Sequence, residues 1–198
     1  ATATQDLAIG LATGVEYLRA MTATGMEIDS AARQILFRLC VGTHSFRAIA
    51  KLRAARKLWE RVVEVAGGSV DSRAMRMQVR VGERVLTERD PYLNILRNTT
   101  ALFAACLGGA DVISSLPLDR LIGSSDESTR RVARNTWHIL EEEAHLNRVI
   151  DPAGGSWFLD KLTNEFATES WRFFQEIEQR GGMLAVLESG WLADEIEK

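Results

Sequence analysis

In the stretch Met75-Arg76-Met77-Gln78-Val79-Arg80-Val81 every odd-numbered residue is apolar and every even-numbered one is polar. A period of two puts Met75, Met77, Val79 and Val81 on one face of a β-strand and Arg76, Gln78 and Arg80 on the other. An apolar strand face needs a covering layer, and the flanking segments supply it. Upstream, Phe46, Ile49, Leu52, Ala55, Leu58 and Val62 recur at helical spacing over Phe46 to Val65, and Gly67-Gly68 stops that helix. Downstream, Asp90-Pro91 opens a second helix, with proline at an early helical position. It runs through Leu93, Leu96, Thr100 and Phe103 to about Leu107, where Gly108-Gly109 ends it.

The alternation of strand and helix extends in both directions. Gln5 to Met21 carries a helical stripe at Leu7, Leu11, Val15 and Leu18, closed by Gly25, and Asp29 is placed to cap a short helix. Ile35 to Val41, an apolar run broken by Arg38, has the length of a buried strand. Ala110 to Leu116 is a further short strand. Ser124 and Glu127 have capping-box spacing for a helix reaching about His145. Arg148 to Asp151 is a fourth strand candidate, Pro152 to Gly155 a loop, Asp160 to Gln179 the last long helix, and Met183 to Ile196 short helices. One helix followed by four strand–helix units implies an α/β fold of parallel βαβ units curling in one sense. Four such units make half of a (β/α)8 TIM-type barrel, here a single partial-barrel domain over residues 1–198. Half a barrel leaves two strand edges and an inner face open, so a dimer or larger assembly is expected.

Composition narrows the function. The chain has 198 residues, is 46% hydrophobic and 26% charged, and carries a net charge of −3. That is globular composition with no bias toward nucleic acid or an anionic membrane. Lys51, Arg53, Arg56, Lys57 and Arg61 recur at helical spacing and read as a solvated helix face. Cys40 and Cys106 lie in apolar surroundings and read as buried thiols of a reducing, cytoplasmic compartment. No signal-peptide pattern and no run of roughly 18 apolar residues is present. The chain opens directly in helix-like sequence without a methionine, as a processed chain or an excised piece would.

Several strings carry a family resemblance. They are Ile49-Ala50-Lys51-Leu52-Arg53-Ala54-Ala55-Arg56-Lys57-Leu58-Trp59, Leu86-Thr87-Glu88-Arg89-Asp90-Pro91-Tyr92-Leu93-Asn94-Ile95 and Gly108-Gly109-Ala110-Asp111. To these add Ala133-Arg134-Asn135-Thr136, Glu141-Glu142-Glu143, Asp151-Pro152-Ala153-Gly154-Gly155-Ser156 and Glu176-Ile177-Glu178-Gln179-Arg180-Gly181-Gly182-Met183. In this order they resemble the second half of the substrate barrel of the methylmalonyl-CoA mutase family. The resemblance implies carbon-skeleton isomerisation of acyl-CoA thioesters, with adenosylcobalamin carrying the radical chemistry on a separate domain.

The departures from the family pattern matter as much. The family's lower cobalt ligand lies in an Asp-x-His-x-x-Gly string. Two residues before His44, His138 and His145 stand Gly42, Thr136 and Glu143, so none fits and the cobalamin-binding domain is expected to be absent. A His-x-Gln-Thr-Ser-Gly string of catalytic members corresponds here to Gln78-Val79-Arg80-Val81-Gly82-Glu83. An Arg-Leu-Ser string corresponds to Gln34-Ile35-Leu36, and Gly-Gly-Thr-Gln-Ser to Gly108-Gly109-Ala110-Asp111-Val112. Each change removes a group that the resemblance assigns to the thioester or CoA. The pattern, with Leu116-Pro117-Leu118-Asp119, therefore resembles the non-catalytic small subunit of heterodimeric mutases. It implies no catalytic residue, no metal and no cofactor bound by this chain, with adenosylcobalamin in the full complex. The partner implied is a catalytic mutase subunit or a second copy of this chain. Two alternatives stand beside it: a half-barrel segment of a catalytic chain, and a CoA-binding module without chemistry.

Among single residues, Arg76, Gln78 and Arg80 are the candidate substrate-binding set, since in a closed barrel their face points into the lumen. The competing reading is polar lumen filler. Asp111, at a strand start, reads as structural. His44 follows a strand end on the side where barrel sites gather, but a lone loop histidine is more often structural. His138 and His145, seven apart, lack metal spacing. Gly154-Gly155-Ser156 reads as a tight turn rather than a phosphate cradle. The tryptophans at 59, 137, 157, 171 and 191 read as core packing by default.

Overall fold

The alternation around Val79 is realised as a strand: Met77, Val79 and Val81 are 0% exposed while Arg76, Gln78 and Arg80 are not buried. Burying each such apolar side chain is worth about 1.5–3 kcal/mol, which fixes which face turns inward. The computed structural model describes residues 1–197. In chain order the elements are α1 (Ala3–Ala23), α2 (Ile28–Gln34), β1 (Leu36–Val41), α3 (Ser45–Val65), β2 (Arg76–Val81), α4 (Leu93–Leu107), β3 (Val112–Ser114), α5 (Glu127–His138), α6 (Trp157–Gln179), α7 (Met183–Glu188) and α8 (Trp191–Glu197). A wide helical turn, Ile139–Glu143, continues α5, and short 3₁₀ turns lie at Val70–Ser72 and Glu83–Val85.

The sheet has three strands in the order β1-β2-β3. β2 and β3 run parallel, with Gln78 opposite Val112, Val79 opposite Ile113 and Arg80 opposite Ser114. The crossovers are α3 and α4, as parallel neighbours require. By density of internal contacts the chain forms two compact units. Unit 1 holds Ala1–Phe37, Arg53–Arg76 and Lys161 onward; unit 2 holds Arg38–Leu52 and Met77–Asp160.

In unit 1, α1 starts with a complete capping box between Thr2 and Gln5. Its stripe of Leu7, Leu11 and Leu18 is buried, as are Trp59 and Val63 of α3 and Ile177 of α6. Phe37 meets Trp59 edge to face, with ring centroids 4.7 Å apart. Gly14 lets α1 approach both rings: a Cβ there would lie 2.8 Å from Phe37 Cζ and 2.9 Å from Trp59 Cζ3. In unit 2 the buried set is Leu39 and Val41 of β1, Met77, Val79 and Val81 of β2, Ile49 and Leu52 of α3, and Ala101, Leu102 and Ala105 of α4.

Several expectations are corrected. Arg148–Asp151 is not a fourth strand. His145 and Asp151 take positive φ (54° and 47°), Val149 and Ile150 are 62% and 98% exposed, and among the described residues no strand pairs with this stretch. Apolar residues without a neighbouring ladder have no strand to join. Asp29 does not cap α2, whose N-cap is Glu27. It accepts instead from the Ser69 N–H (2.8 Å) and from the Ser69 and Ser72 hydroxyls (2.6 and 2.8 Å), which draws its pKa below the usual carboxylate value. The cap of α5 is Asp126, accepting from the Thr129 N–H at 2.8 Å, not Ser124.

The basic residues of α3 are not a uniformly solvated face. Lys51 is buried with Nζ donating to Cys40 O (3.0 Å), and Arg56 donates to Met75 O (2.9 Å). Arg53 reaches Thr163 Oγ1 (3.0 Å) and Lys57 reaches Asn164 Oδ1 (2.8 Å). Their long stems cover apolar surface while the heads find oxygen acceptors. Cys40 is exposed and Cys106 only half-buried. Of the tryptophans, Trp59 is core but Trp157 is 91% exposed.

The close approach at Gly14 makes a paired prediction. Gly14→Ala gains up to about 1 kcal/mol of helix propensity but incurs roughly 1–3 kcal/mol of overpacking, so urea denaturation should show a net loss. Gly10→Ala, in the same helix with nothing within 4 Å of the added carbon, should instead stabilise. Equal effects at both positions would contradict the packing described.

Candidate functional site

β2 positions the site through its polar face. Arg38 Nε on β1 donates to Gln78 Oε1 (3.1 Å), and Gln78 Nε2 donates to Ser114 Oγ on β3 (3.0 Å), so one chain of side-chain bonds crosses the strands. Arg80 sits opposite Ser114 in the register. The chain then leaves β2 in a 3₁₀ turn that puts Glu83 three residues on, where its Oε1 accepts from Arg80 (2.5 Å) and from Arg120 (3.2 Å).

The loops beyond the strands are held by two buried asparagines of α4. Asn94 accepts from the Thr87 N–H (3.0 Å) and donates to Thr87 O and Leu118 O (both 2.9 Å). Asn98 Oδ1 accepts from the Leu116 N–H (3.2 Å). A buried amide side chain that satisfies backbone groups is a strong local constraint. It also gives the Thr87 and Asn94 of the Leu-Thr…Asn-Ile string a structural role.

Together these elements line an open hollow of about 590 Å3 in unit 2, formed by Arg38, Gln78, Arg80, Ser114, Arg120 and Arg130, with Leu116, Pro117 and the Gly123-Ser124-Ser125 loop. Guanidinium, amide and hydroxyl groups can bind and orient a polar molecule. The lining has no imidazole, thiol or carboxylate to move a proton. Of the three residues expected to bind substrate, Gln78 and Arg80 meet here. Arg76 does not line the hollow; it is exposed and donates to Arg33 O (3.2 Å). Arg38, Glu83, Ser114, Arg120 and Arg130 were not anticipated. Only Arg38 left a sequence signal, as the charge interrupting an apolar run.

Unit 1 has a hollow of another kind, about 670 Å3, lined chiefly by apolar residues such as Leu18, Val62, Trp171 and Phe174, with Arg19 and Glu178 ion-paired at it. Neither hollow is lined by a histidine. His44, His138 and His145 are exposed, and His145 sits in a turn. Asp111 is structural: its Oδ2 accepts from the Met77 N–H (2.7 Å) and its N–H donates to Met77 O (3.0 Å). The Gly154–Ser156 turn leads into α6, with Ser156 Oγ accepting from the Leu159 N–H (3.4 Å). Among the described residues no group of three His, Cys, Asp or Glu is arranged for a metal ion, and no helix is long and apolar enough to cross a membrane.

Comparison with known proteins bears on these residues as a whole. The sequence model of one family, Methylmalonyl-CoA mutase, matches residues 1–198. A Streptomyces virginiae protein named Methylmalonyl-CoA mutase small subunit is 48% identical over 196 residues, 99% of this chain and 32% of its own length. A small subunit of the same name from Propionibacterium freudenreichii subsp. shermanii is 43% identical over 179 residues, 90% of this chain and 28% of its own. A Cereibacter sphaeroides protein named Methylmalonyl-CoA mutase is 40% identical over 187 residues, 94% of this chain and 26% of its own. The chain thus spans about a third or less of the length of these relatives.

The two thiols give a test of local environment. Burial, with the Glu141 charge nearby, pushes the Cys106 pKa up to about 11, so at pH 8 it is almost wholly the unreactive thiol. Iodoacetamide at that pH should label exposed Cys40 and spare Cys106, read by peptide mass spectrometry. Faster labelling of Cys106 would contradict the packing around α4.

Proposed function

Because the chain belongs to the methylmalonyl-CoA mutase family, we propose that it forms part of a non-catalytic small subunit of an acyl-CoA mutase. In this reading residues 1–198 are the second half of a substrate barrel, and the three-stranded sheet is the sector of it that the chain supplies. The partner is a catalytic mutase subunit or a second copy of this chain, and the assembly works in the cytoplasm on methylmalonyl-CoA and succinyl-CoA.

One observation carries the reading. At the two positions where the family resemblance puts a substrate-touching histidine and glutamine, this chain has Gln78 and Arg80, and both are engaged by their neighbours. Gln78 is tied to Arg38 and Ser114, Arg80 to Glu83. A group whose hydrogen bonds are already made to the protein has fewer to offer a thioester carbonyl. Adenosylcobalamin, which the family implies for the complex, would supply radical chemistry where bound. The residues here do not fit it as lower-ligand donors: no histidine lines either hollow or stands in the Asp-x-His-x-x-Gly arrangement. In the isomerisation itself no role is left to Arg76, Gln78 and Arg80; they brace the polar face of the sheet.

A second reading, a half-barrel segment of a catalytic chain, is favoured by the 40% identity to a relative named simply as the mutase. Residues 1–198 alone are inactive on either reading, so the assay that separates them uses the full-length protein that contains them. On the small-subunit reading that protein, given methylmalonyl-CoA and adenosylcobalamin without a partner, forms no succinyl-CoA and takes up no cobalamin. Turnover by it alone would reject the small-subunit reading and favour the catalytic-chain one.

A further inference from the structure

The hollow of unit 2 carries more positive charge than its own carboxylates answer. Four of its lining residues are arginines, and none is Lys, Asp, Glu or His. Glu83 is the carboxylate that meets them, and it meets two through a single oxygen, Arg80 at 2.5 Å and Arg120 at 3.2 Å. Among the described residues neither Arg38 nor Arg130 is ion-paired. Asp119 and Asp126, the carboxylates of the adjoining loop, bond neutral Ser125, Thr129 and Ser128, which directs them without removing their charge. The lining itself sets four guanidiniums against no carboxylate, and Glu83 is the acid that touches two of them. Like charges gathered in one concavity repel, so the arrangement is unfavourable until an anion enters.

Arg38, Arg80 and Arg120 are also held in advance. Arg38 is held by a neutral amide, Gln78 at 3.1 Å, which fixes its direction without reducing its charge. Gln78 is in turn fixed by Ser114 at 3.0 Å. A guanidinium already positioned loses less entropy on binding. Ser124 adds a hydroxyl donor, the Ser125 hydroxyl is engaged by Asp119, and Leu116 and Pro117 add an apolar wall. A volume of about 590 Å3 falls within the range of small-molecule sites.

We propose that this hollow binds a small phosphate-bearing molecule with at least two negative charges, such as a diphosphate. A single carboxylate would engage few of the four guanidiniums. Clustered phosphate oxygens match several guanidinium forks at once. The proposal does not rest on the mutase reading, and it holds whether the chain serves a catalytic subunit or not.

Calorimetric titration of the purified chain with inorganic diphosphate, in a low-salt buffer free of phosphate, tests it. Saturable binding is expected, weakening as sodium chloride is raised. Arg38→Gln and Arg130→Gln should each weaken it about tenfold, the scale of one charge-assisted hydrogen bond. Arg89→Gln, which removes the same charge outside the lining, should leave it unchanged. Glu83→Gln frees Arg80 and Arg120 and should tighten binding, a gain that a damaged fold cannot produce. ADP as a second probe separates the sources: tighter binding than diphosphate marks a nucleotide ligand, equal binding marks the phosphate groups alone, and both sustain the proposal. No saturable binding of either probe, or Arg38→Gln and Arg130→Gln variants that melt and bind like the parent, overturns it.

Discussion

Asp111 holds the backbone of Met77 at both of its polar groups. Its carboxylate takes the N–H and its own N–H takes the carbonyl. That double contact stands immediately before β3 and locks the offset between two parallel strands. The offset matters because a strand's side chains alternate: a slip of one residue would swap Val79 for Arg80 against the core. β3 is only three residues long and has little ladder of its own to resist slipping. One exposed acidic side chain therefore does for this sheet what several further backbone bonds would do for a longer strand.

Fixing the offset also fixes the polar face. Arg80 stands opposite Ser114 and Gln78 opposite Val112 because of it, and the bond from Gln78 to Ser114 closes across the gap. The loops beyond are then pinned by Asn94 and Asn98, buried polar residues whose bonding capacity goes to backbone groups of Thr87, Leu116 and Leu118. The arginines of the hollow come from β1, β2, the loop after β3 and α5. Their meeting depends on every one of these constraints.

β2 and the long helices could be read from periodicity, because burial on one side writes a period of two or 3.6 into the residues. β2 appears within a residue of where the alternation puts it, and β1 within a residue of its apolar run. The stretch Arg148–Asp151 has the apolar composition of a strand but no ladder to join, and Ile150 is almost wholly exposed. Cys40 is the opposite case. It lies in an apolar run but on the exposed register of β1, and a run reading ignores register. On α3 the charges looked solvated since their acceptors, Cys40 O, Met75 O and Thr163, are carried by other segments. Of the site, Gln78 and Arg80 were visible as the polar half of an alternating strand. Arg120 and Arg130 were not, because loop and helix arginines brought together by tertiary folding leave no local pattern.

β1 and β2 share a numbering parity: in both, the odd positions are buried and the even positions reach the other face. Packing constrains one set and leaves the other to chemistry. Exchanges at 38, 78 and 80 alter what the protein can hold while the layer beneath keeps its shape. A protein built this way can exchange its chemistry along the even register while the buried odd register keeps the fold.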